Sequence, residues 1–129
     1  MGTPAAVMGD RITGICSIHL IPNPATGAPQ PGPPFPFSAP LTLGLCETVL
    51  IGGQPAAVVG SSGYNTPPHV GLHPSDPYMV PTLQVGLVAN GSPTVMIGGA
   101  PAATASAQVT MCANLPGQLI ASATTVLIG

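Results

Sequence analysis

Residues 48–61 read Thr-Val-Leu-Ile-Gly-Gly-Gln-Pro-Ala-Ala-Val-Val-Gly-Ser, and residues 94–107 read Thr-Val-Met-Ile-Gly-Gly-Ala-Pro-Ala-Ala-Thr-Ala-Ser-Ala. Residues 125–129 begin the same phrase, Thr-Val-Leu-Ile-Gly, and residues 2–10 finish it, Gly-Thr-Pro-Ala-Ala-Val-Met-Gly-Asp. Internal repeats settle the architecture before any local reading does. A third copy divided between the two ends of the chain predicts a closed ring of three units, with the first and last residues side by side. Thr125–Ile128 is then expected to pair with, or lie beside, Pro4–Met8.

Each unit has the pattern of a β-hairpin. Thr48–Ile51 is apolar and β-branched, Gly52-Gly53 supplies a tight turn with positive φ, and Pro55–Val59 returns. Thr94–Ile97, Gly98-Gly99 and Pro101–Ala105 repeat the pattern. Proline donates no ladder hydrogen bond, so Pro4, Pro55 and Pro101 belong at strand starts or edges.

Between the repeats lie three unequal excursions. The first, Arg11 to Glu47, carries the proline-rich run Pro29–Phe37, read as polyproline II or irregular loop that packs Phe35 and Phe37 onto the core. The second, Ser62 to Pro93, predicts a strand over Thr82–Ala89. The third, Gln108 to Thr124, predicts short strands near Val109–Met111 and Gln118–Ala121. No stretch sustains a helical period. The fold class is therefore all-β, a single domain over residues 1–129: a small pseudo-threefold cone of three hairpin repeats with excursions converging at one end.

Composition narrows the function. The 129 residues are 45% hydrophobic, with 17 Gly and 18 Pro. Charged residues make up 3%, against about 25% in an ordinary domain. They are Asp10, Arg11, Glu47 and Asp76. Disorder requires low hydrophobicity and high net charge, so this composition opposes it. With one basic residue the chain has no electrostatic footprint for nucleic acid. No apolar stretch reaches the roughly 18 residues of a membrane-spanning helix. The N-terminus lacks a basic segment and meets Asp10 early, unlike a secretory signal, which predicts synthesis in the cytoplasm. Strand edges guarded by so few charges imply that part of the surface is covered by a partner. Three cysteines, an odd number, point to thiols or metal ligands over a disulfide framework.

The chemistry-bearing residues recur at comparable offsets from the repeat. His19 lies 15 residues after Pro4, His69 and His73 lie 14 and 18 after Pro55, and Cys112 lies 11 after Pro101. In a threefold ring, comparable offsets mean comparable heights, so these groups are expected to meet at the apex. Three imidazoles and one thiolate form a tetrahedral Zn²⁺ site with no open position, a structural site and not a catalytic one. Cys16 and His19 stand in a Cys-x-x-His spacing, so Cys16 is an alternative ligand that replaces His19 or joins it. His69 and His73 match the helical spacing of zinc proteases only superficially, because Pro67, Pro68, Gly71 and Pro74 forbid a regular helix. Cys46, beside a repeat strand, is expected in the core.

The motif Pro-Ala-Ala-x-x-Gly-Asp at Pro4–Asp10, with partial copies at Pro55–Ser61 and Pro101–Ala107, resembles the PAAR-repeat proteins. The motif's arginine is Val7, Val58 and Thr104 here, and only the first copy keeps its aspartate, so any salt bridge between those two positions is missing. The resemblance implies a sharpened, non-enzymatic tip of a contractile injection machine of the type VI secretion, phage-tail or extracellular injection kind. It implies seating on a homotrimeric β-helical spike, one tip chain per trimer, with an effector cargo as a further partner and transient contact with the target membrane. It also implies assembly on a baseplate in the bacterial cytoplasm and ejection from the cell. The family's three histidines and one cysteine carry over to His19, His69, His73 and Cys112. The hairpin residues Val49, Ile51, Val95, Ile97, Val126 and Ile128 are then the candidates to form or support the spike-facing end.

Two other readings use the same residues. A small metallohydrolase needs an open metal position and a nearby base, and Asp76 is the carboxylate nearest in sequence to His69 and His73. A β-rich adaptor or carrier binds a partner without a tip role, and its stoichiometry need not be one per trimer.

Overall fold

The computed structural model describes residues 2–112 and 115–128, the side chains of residues 81 and 124 excepted. In chain order its strands are β1 (Thr3–Ala5), β2 (Arg11–Cys16), β3 (Leu20–Pro22), β4 (Pro29–Pro31), β5 (Phe35–Pro40), β6 (Cys46–Ile51) and β7 (Gln54–Ala56). They continue with β8 (Ser62–Tyr64), β9 (Val85–Val88), β10 (Met96–Ile97), β11 (Ala100–Pro101), β12 (Val109–Thr110), β13 (Pro116–Ile120) and β14 (Ala123–Ile128). Two single 3₁₀ turns, Pro77–Met79 and Pro81–Leu83, lie between β8 and β9, and no α-helix occurs among the described residues.

The three repeats form three antiparallel hairpins: β6 with β7, β10 with β11, and β1 with β14. The last joins the chain ends, with Thr3 opposite Ile128 and Pro4 opposite Leu127. In the two continuous hairpins the Gly-Gly pair makes the turn, at φ 59° and 84° for Gly52 and Gly53 and 59° and 86° for Gly98 and Gly99. Positive φ at both central residues is the turn whose twist matches a hairpin, and glycine adopts it without steric cost.

A cycle of backbone hydrogen bonds links the three units into a ring. The Ala6 amide donates to the Ala103 carbonyl, Ala103 to Ala57, and Ala57 back to Ala6, each at 3.0 Å. A second cycle runs the other way: Met8 donates to Pro55, Val59 to Pro101, and Ala105 to Pro4, at 2.9, 3.0 and 3.0 Å. The Pro-Ala-Ala motif follows from this geometry. Each proline contributes the carbonyl its neighbour needs, and its missing amide costs the cycle nothing. The two alanines alternate faces, as strand residues must. Ala5, Ala56 and Ala102 pack into the cluster among the hairpins, with Val7, Ile51 and Ile128. Ala6, Ala57 and Ala103 pack into the larger core. All six alanines are buried, and three chain segments meeting at one axis leave room for a methyl group and little more. The motif's missing arginine is compensated locally. The Asp10 carboxylate accepts from the Val7 amide at 2.9 Å and from the Ser122 amide and hydroxyl. The Ser61 hydroxyl plays the same part for the Val58 amide at 3.0 Å.

The excursions build a nearly closed barrel. The sheet order is β5-β2-β13-β12-β9-β8, two strands from each excursion. The seam between β8 and the end of β5 is drawn together by the Thr42 and Leu43 amides donating to Ser62 and by Thr66 donating to Ser38. Inside lie Ile12, Phe37, Leu41, Val88, Val109, Met111 and Leu119. The proline-rich run is not polyproline II but strand, β4 and the start of β5. β5 is the end strand of the sheet, where proline sacrifices the fewest ladder bonds. Phe37 is buried and Phe35 packs beside it, as expected. The strand predicted over Thr82–Ala89 begins only at Val85, because Pro81–Leu83 turns as 3₁₀ helix. Cys46 is not in the core: it is half-buried in a hairpin strand, with its thiol 3.3 Å from the Thr48 hydroxyl.

Candidate metal centre

β2 leaves the alanine ring at Arg11 and runs up the barrel to Cys16. Ile12 and Cys16 are buried on its inner face, in step with the two-residue period of a strand. Three residues on, His19 enters the same space. The second excursion brings in His69, and Cys112 follows directly after β12. The ligand atoms of Cys16, His19, His69 and Cys112 all lie within 4.8 Å of one another, and all four residues are buried. The hairpins and this cluster thus occupy opposite ends of the barrel.

Both imidazoles are fixed through the nitrogen that faces away from the cluster. His19 Nδ1 is 3.1 Å from the Asp76 carboxylate, to which it donates. His69 Nε2 is 2.8 Å from the Pro36 carbonyl, which can only accept, so this nitrogen carries the proton. The remaining nitrogens, His19 Nε2 and His69 Nδ1, face each other at 3.0 Å. With both rings neutral these two nitrogens present lone pairs to each other, and only a shared proton or a metal cation between them relieves that. A cation answers that arrangement, and the two thiols beside it complete a four-ligand set. Neutral imidazole and thiolate are the ligand forms a metal requires.

The electrostatics favour those forms at His69 and Cys16 and oppose the thiolate at Cys112. Burial lowers the pKa of His69, opposed by its bond to Pro36. A hydrogen bond from Cys112 lowers the pKa of Cys16 to about 6, with His19 assisting and burial opposing. The proton shared with Cys16, together with burial, pushes Cys112 up. Burial works against the charge on Asp76, but hydrogen bonds from the Leu20 and Tyr78 amides and from His19 outweigh it and hold the carboxyl below its ordinary range.

Aromatic rings wall the cluster. Phe35 and Tyr78 stand edge-to-face to His19 at 5.6 and 5.7 Å. The His69 main chain is held by the buried Gln84 amide, which accepts from the His69 amide at 2.7 Å and donates to the His69 and Tyr78 carbonyls. Asn65 donates to the same Gln84 oxygen and accepts from Ser38. The loop is therefore tied to the barrel on both sides of the ligand.

Of the four residues expected at the apex, the structure brings together His19, His69 and Cys112, with Cys16 joining His19. His73 lies elsewhere. Its Nδ1 accepts from the Ser75 amide at 3.0 Å, and its Nε2 donates to the Gly27 carbonyl at 3.1 Å. Histidines four apart share a face only in a helix. Here Gly71, at φ 77°, turns the chain between them, and Leu72 takes the buried position. His73 instead ties the turn between β3 and β4 to the loop. His73→Ala is expected to leave metal content unchanged and to cost about 1 kcal/mol, the worth of an ordinary hydrogen bond. Elemental analysis and thermal melting of this variant beside His69→Ala check the assignment.

Asp76 and Gln84 were not singled out as supports of the cluster. The scarcity of carboxylates, with Asp and Glu together numbering 3 and Asp76 lying close to His73, was the available signal for Asp76. Comparison with family models, with curated proteins and with solved structures gives no match.

Proposed function

We propose that this chain is the metal-clamped tip of a contractile injection machine, seated by its hairpin end on a homotrimeric β-helical spike. The observation that carries the proposal is the repeated base. Leu50, Met96 and Leu127 occupy the same position in the three hairpins and are 60%, 58% and 58% exposed. Three equivalent apolar side chains on a pseudo-threefold ring are what a true threefold partner can cover with three similar contacts. Charged residues are nearly lacking, so that contact is apolar and hydrogen-bonded and varies little with salt.

Of the hairpin residues that the sequence favoured, Val49 and Val126 are exposed. Ile51 and Ile128 are buried among the hairpins, with Ile97 and Val95 packed against them, so a charge at Ile51 tests folding and not docking. At the other end, Zn²⁺ held by Cys16, His19, His69 and Cys112 serves a structural role. Two thiolates and two imidazoles suit zinc, and all four ligands are protein groups, which leaves no position for substrate. The clamp keeps a narrow apex folded while sheath contraction loads it. In this reading the chain is made in the bacterial cytoplasm, assembles on the baseplate with an effector cargo as a further passenger, and meets the target membrane on ejection.

The test is stoichiometry with the cognate spike by native mass spectrometry. One chain per trimer is expected. Three chains per trimer, or no complex, ends the tip reading; the first outcome is that of an adaptor. Leu50→Asp combined with Met96→Asp should weaken the complex at least about 100-fold, the effect of losing central interface contacts. Because both side chains are exposed, the melting temperature should hardly change.

A further inference from the structure

We infer that Asp76 is the positioning residue of the metal centre: it sets the tautomer and aim of His19 and joins that ligand to the loop that carries His69. The inference rests on the metal-clamp reading above and deepens it. Asp76 is buried, and its two oxygens have separate tasks. Oδ2 accepts from His19 Nδ1 at 3.1 Å and from the Leu20 amide at 2.9 Å. Oδ1 accepts from the Tyr78 amide at 2.8 Å and caps the 3₁₀ turn Pro77–Met79. One carboxylate therefore holds the ring of His19, the main chain just beyond it, and the turn that positions Tyr78 edge-to-face against the same ring.

The consequence for the cluster is chemical. A carboxylate on Nδ1–H leaves the Nε2 lone pair of His19 pointing at the other three ligands and makes that nitrogen a stronger donor, as a carboxylate behind a metal-bound histidine does. His69 has a neutral carbonyl in the corresponding place. The two histidines are thus unequal, with the charge placed behind His19 alone. The other ionisable groups facing this carboxylate are the cluster residues themselves, His19 and His69, with Cys112 beyond them.

A cap alone would make the same contacts to Leu20 and Tyr78, and the variant Asp76→Asn separates the roles. Asparagine can keep the cap through its one oxygen, but its NH2 then replaces the oxygen that accepts from His19 Nδ1 and from the Leu20 amide, so the charge and both of those bonds are lost. Zn²⁺ affinity, read by competition with a chromophoric chelator, should fall about 10- to 100-fold in D76N. The visible spectrum of the Co²⁺-substituted protein should shift as well, and the metal-free variant should melt a few degrees lower, by the worth of the lost Leu20 bond. Unchanged affinity and an unchanged Co²⁺ spectrum would overturn the inference.

Should the variant fail to fold, the unmodified chain still decides. A long-range ¹H–¹⁵N spectrum of the Zn²⁺-loaded protein should show His19 protonated at Nδ1 and ligated through Nε2. Ligation through Nδ1 overturns the role of Asp76 and leaves the metal clamp standing. A chain that binds no Zn²⁺ or Co²⁺ at all overturns both.

Discussion

Gly63→Ala should remove a large share of the chain's stability. Gly63 lies in β8 opposite Gly86 of β9 and is buried at the seam where β8 meets the end of β5. A methyl group there would land on the Pro40 carbonyl oxygen, with the Leu41 Cα close behind. Overpacking in a core costs about 1–3 kcal/mol when side chains can move aside. Here the obstacle is backbone, and shifting it opens the seam held by the Ser62–Leu43 hydrogen bonds. We expect a loss of about 4 kcal/mol or more, the exceptional end of single substitutions and a large share of a typical domain's total stability. Gly27→Ala is the control. Gly27 also departs from ordinary backbone, at φ 73°, but a methyl there meets nothing within 4 Å. Its cost is the left-handed backbone alone, about 1–2 kcal/mol. Denaturant midpoints for the two variants should differ accordingly, and equal midpoints would refute the close approach at the seam.

Removing the metal should lower the melting temperature by about 10–20 °C. A ligand present at a thousand times its dissociation constant stabilises the folded state by about 4 kcal/mol, and in a domain of this size each kcal/mol moves the midpoint by a few degrees. Without the cation the facing nitrogens of His19 and His69 lose the partner common to both, and the buried thiols of Cys16 and Cys112 lie against each other with only hydrogen bonds to hold them. Cys16→Ser and His69→Ala should each reproduce the chelated state and become insensitive to chelator. Scanning calorimetry under reducing conditions, with and without chelator and with elemental analysis of each sample, checks this. Identical melting of the chelated and untreated chain would remove the basis for a structural metal.

The ring was legible in the sequence because its signals are local and repeated. Gly52-Gly53 and Gly98-Gly99 admit one kind of turn, and the divided third copy places Thr3 against Ile128. Which face of each hairpin is exposed was not legible. Val-Leu-Ile and Val-Met-Ile are apolar on both faces of a strand, so alternation cannot say which face is inner. Packing decides it, placing Ile51 and Ile128 inside and Leu50 and Leu127 outside. At the apex, offsets from the repeat brought His19, His69 and Cys112 to the right end of the barrel, but an offset measured along an irregular loop says nothing of direction. That is how His73 was included although Gly71 turns it away. Cys16 could have been preferred from the strand period alone, since Ile12 and Cys16 fall on one face of β2. The prolines at Pro36 and Pro40 hid a strand because their penalty depends on an edge, and edges are a property of the finished sheet.

The divided hairpin also governs when the molecule can become itself. β6–β7 and β10–β11 are each closed by two residues and can form within microseconds, the ordinary time for a hairpin. β1 and β14 meet across almost the whole described chain, with the Thr3 hydroxyl reaching the Ile128 carbonyl. Contacts of such long separation slow folding, because the entropy of closing the loop is lost before the contact returns anything. The three units that look alike in space are therefore unlike in time. Two are ready while the polypeptide is still being made, and the third waits for the segment at Ala123–Ile128. Until it arrives the Ala6–Ala103–Ala57 cycle lacks the support of its third hairpin, and the base has not yet gained its threefold symmetry.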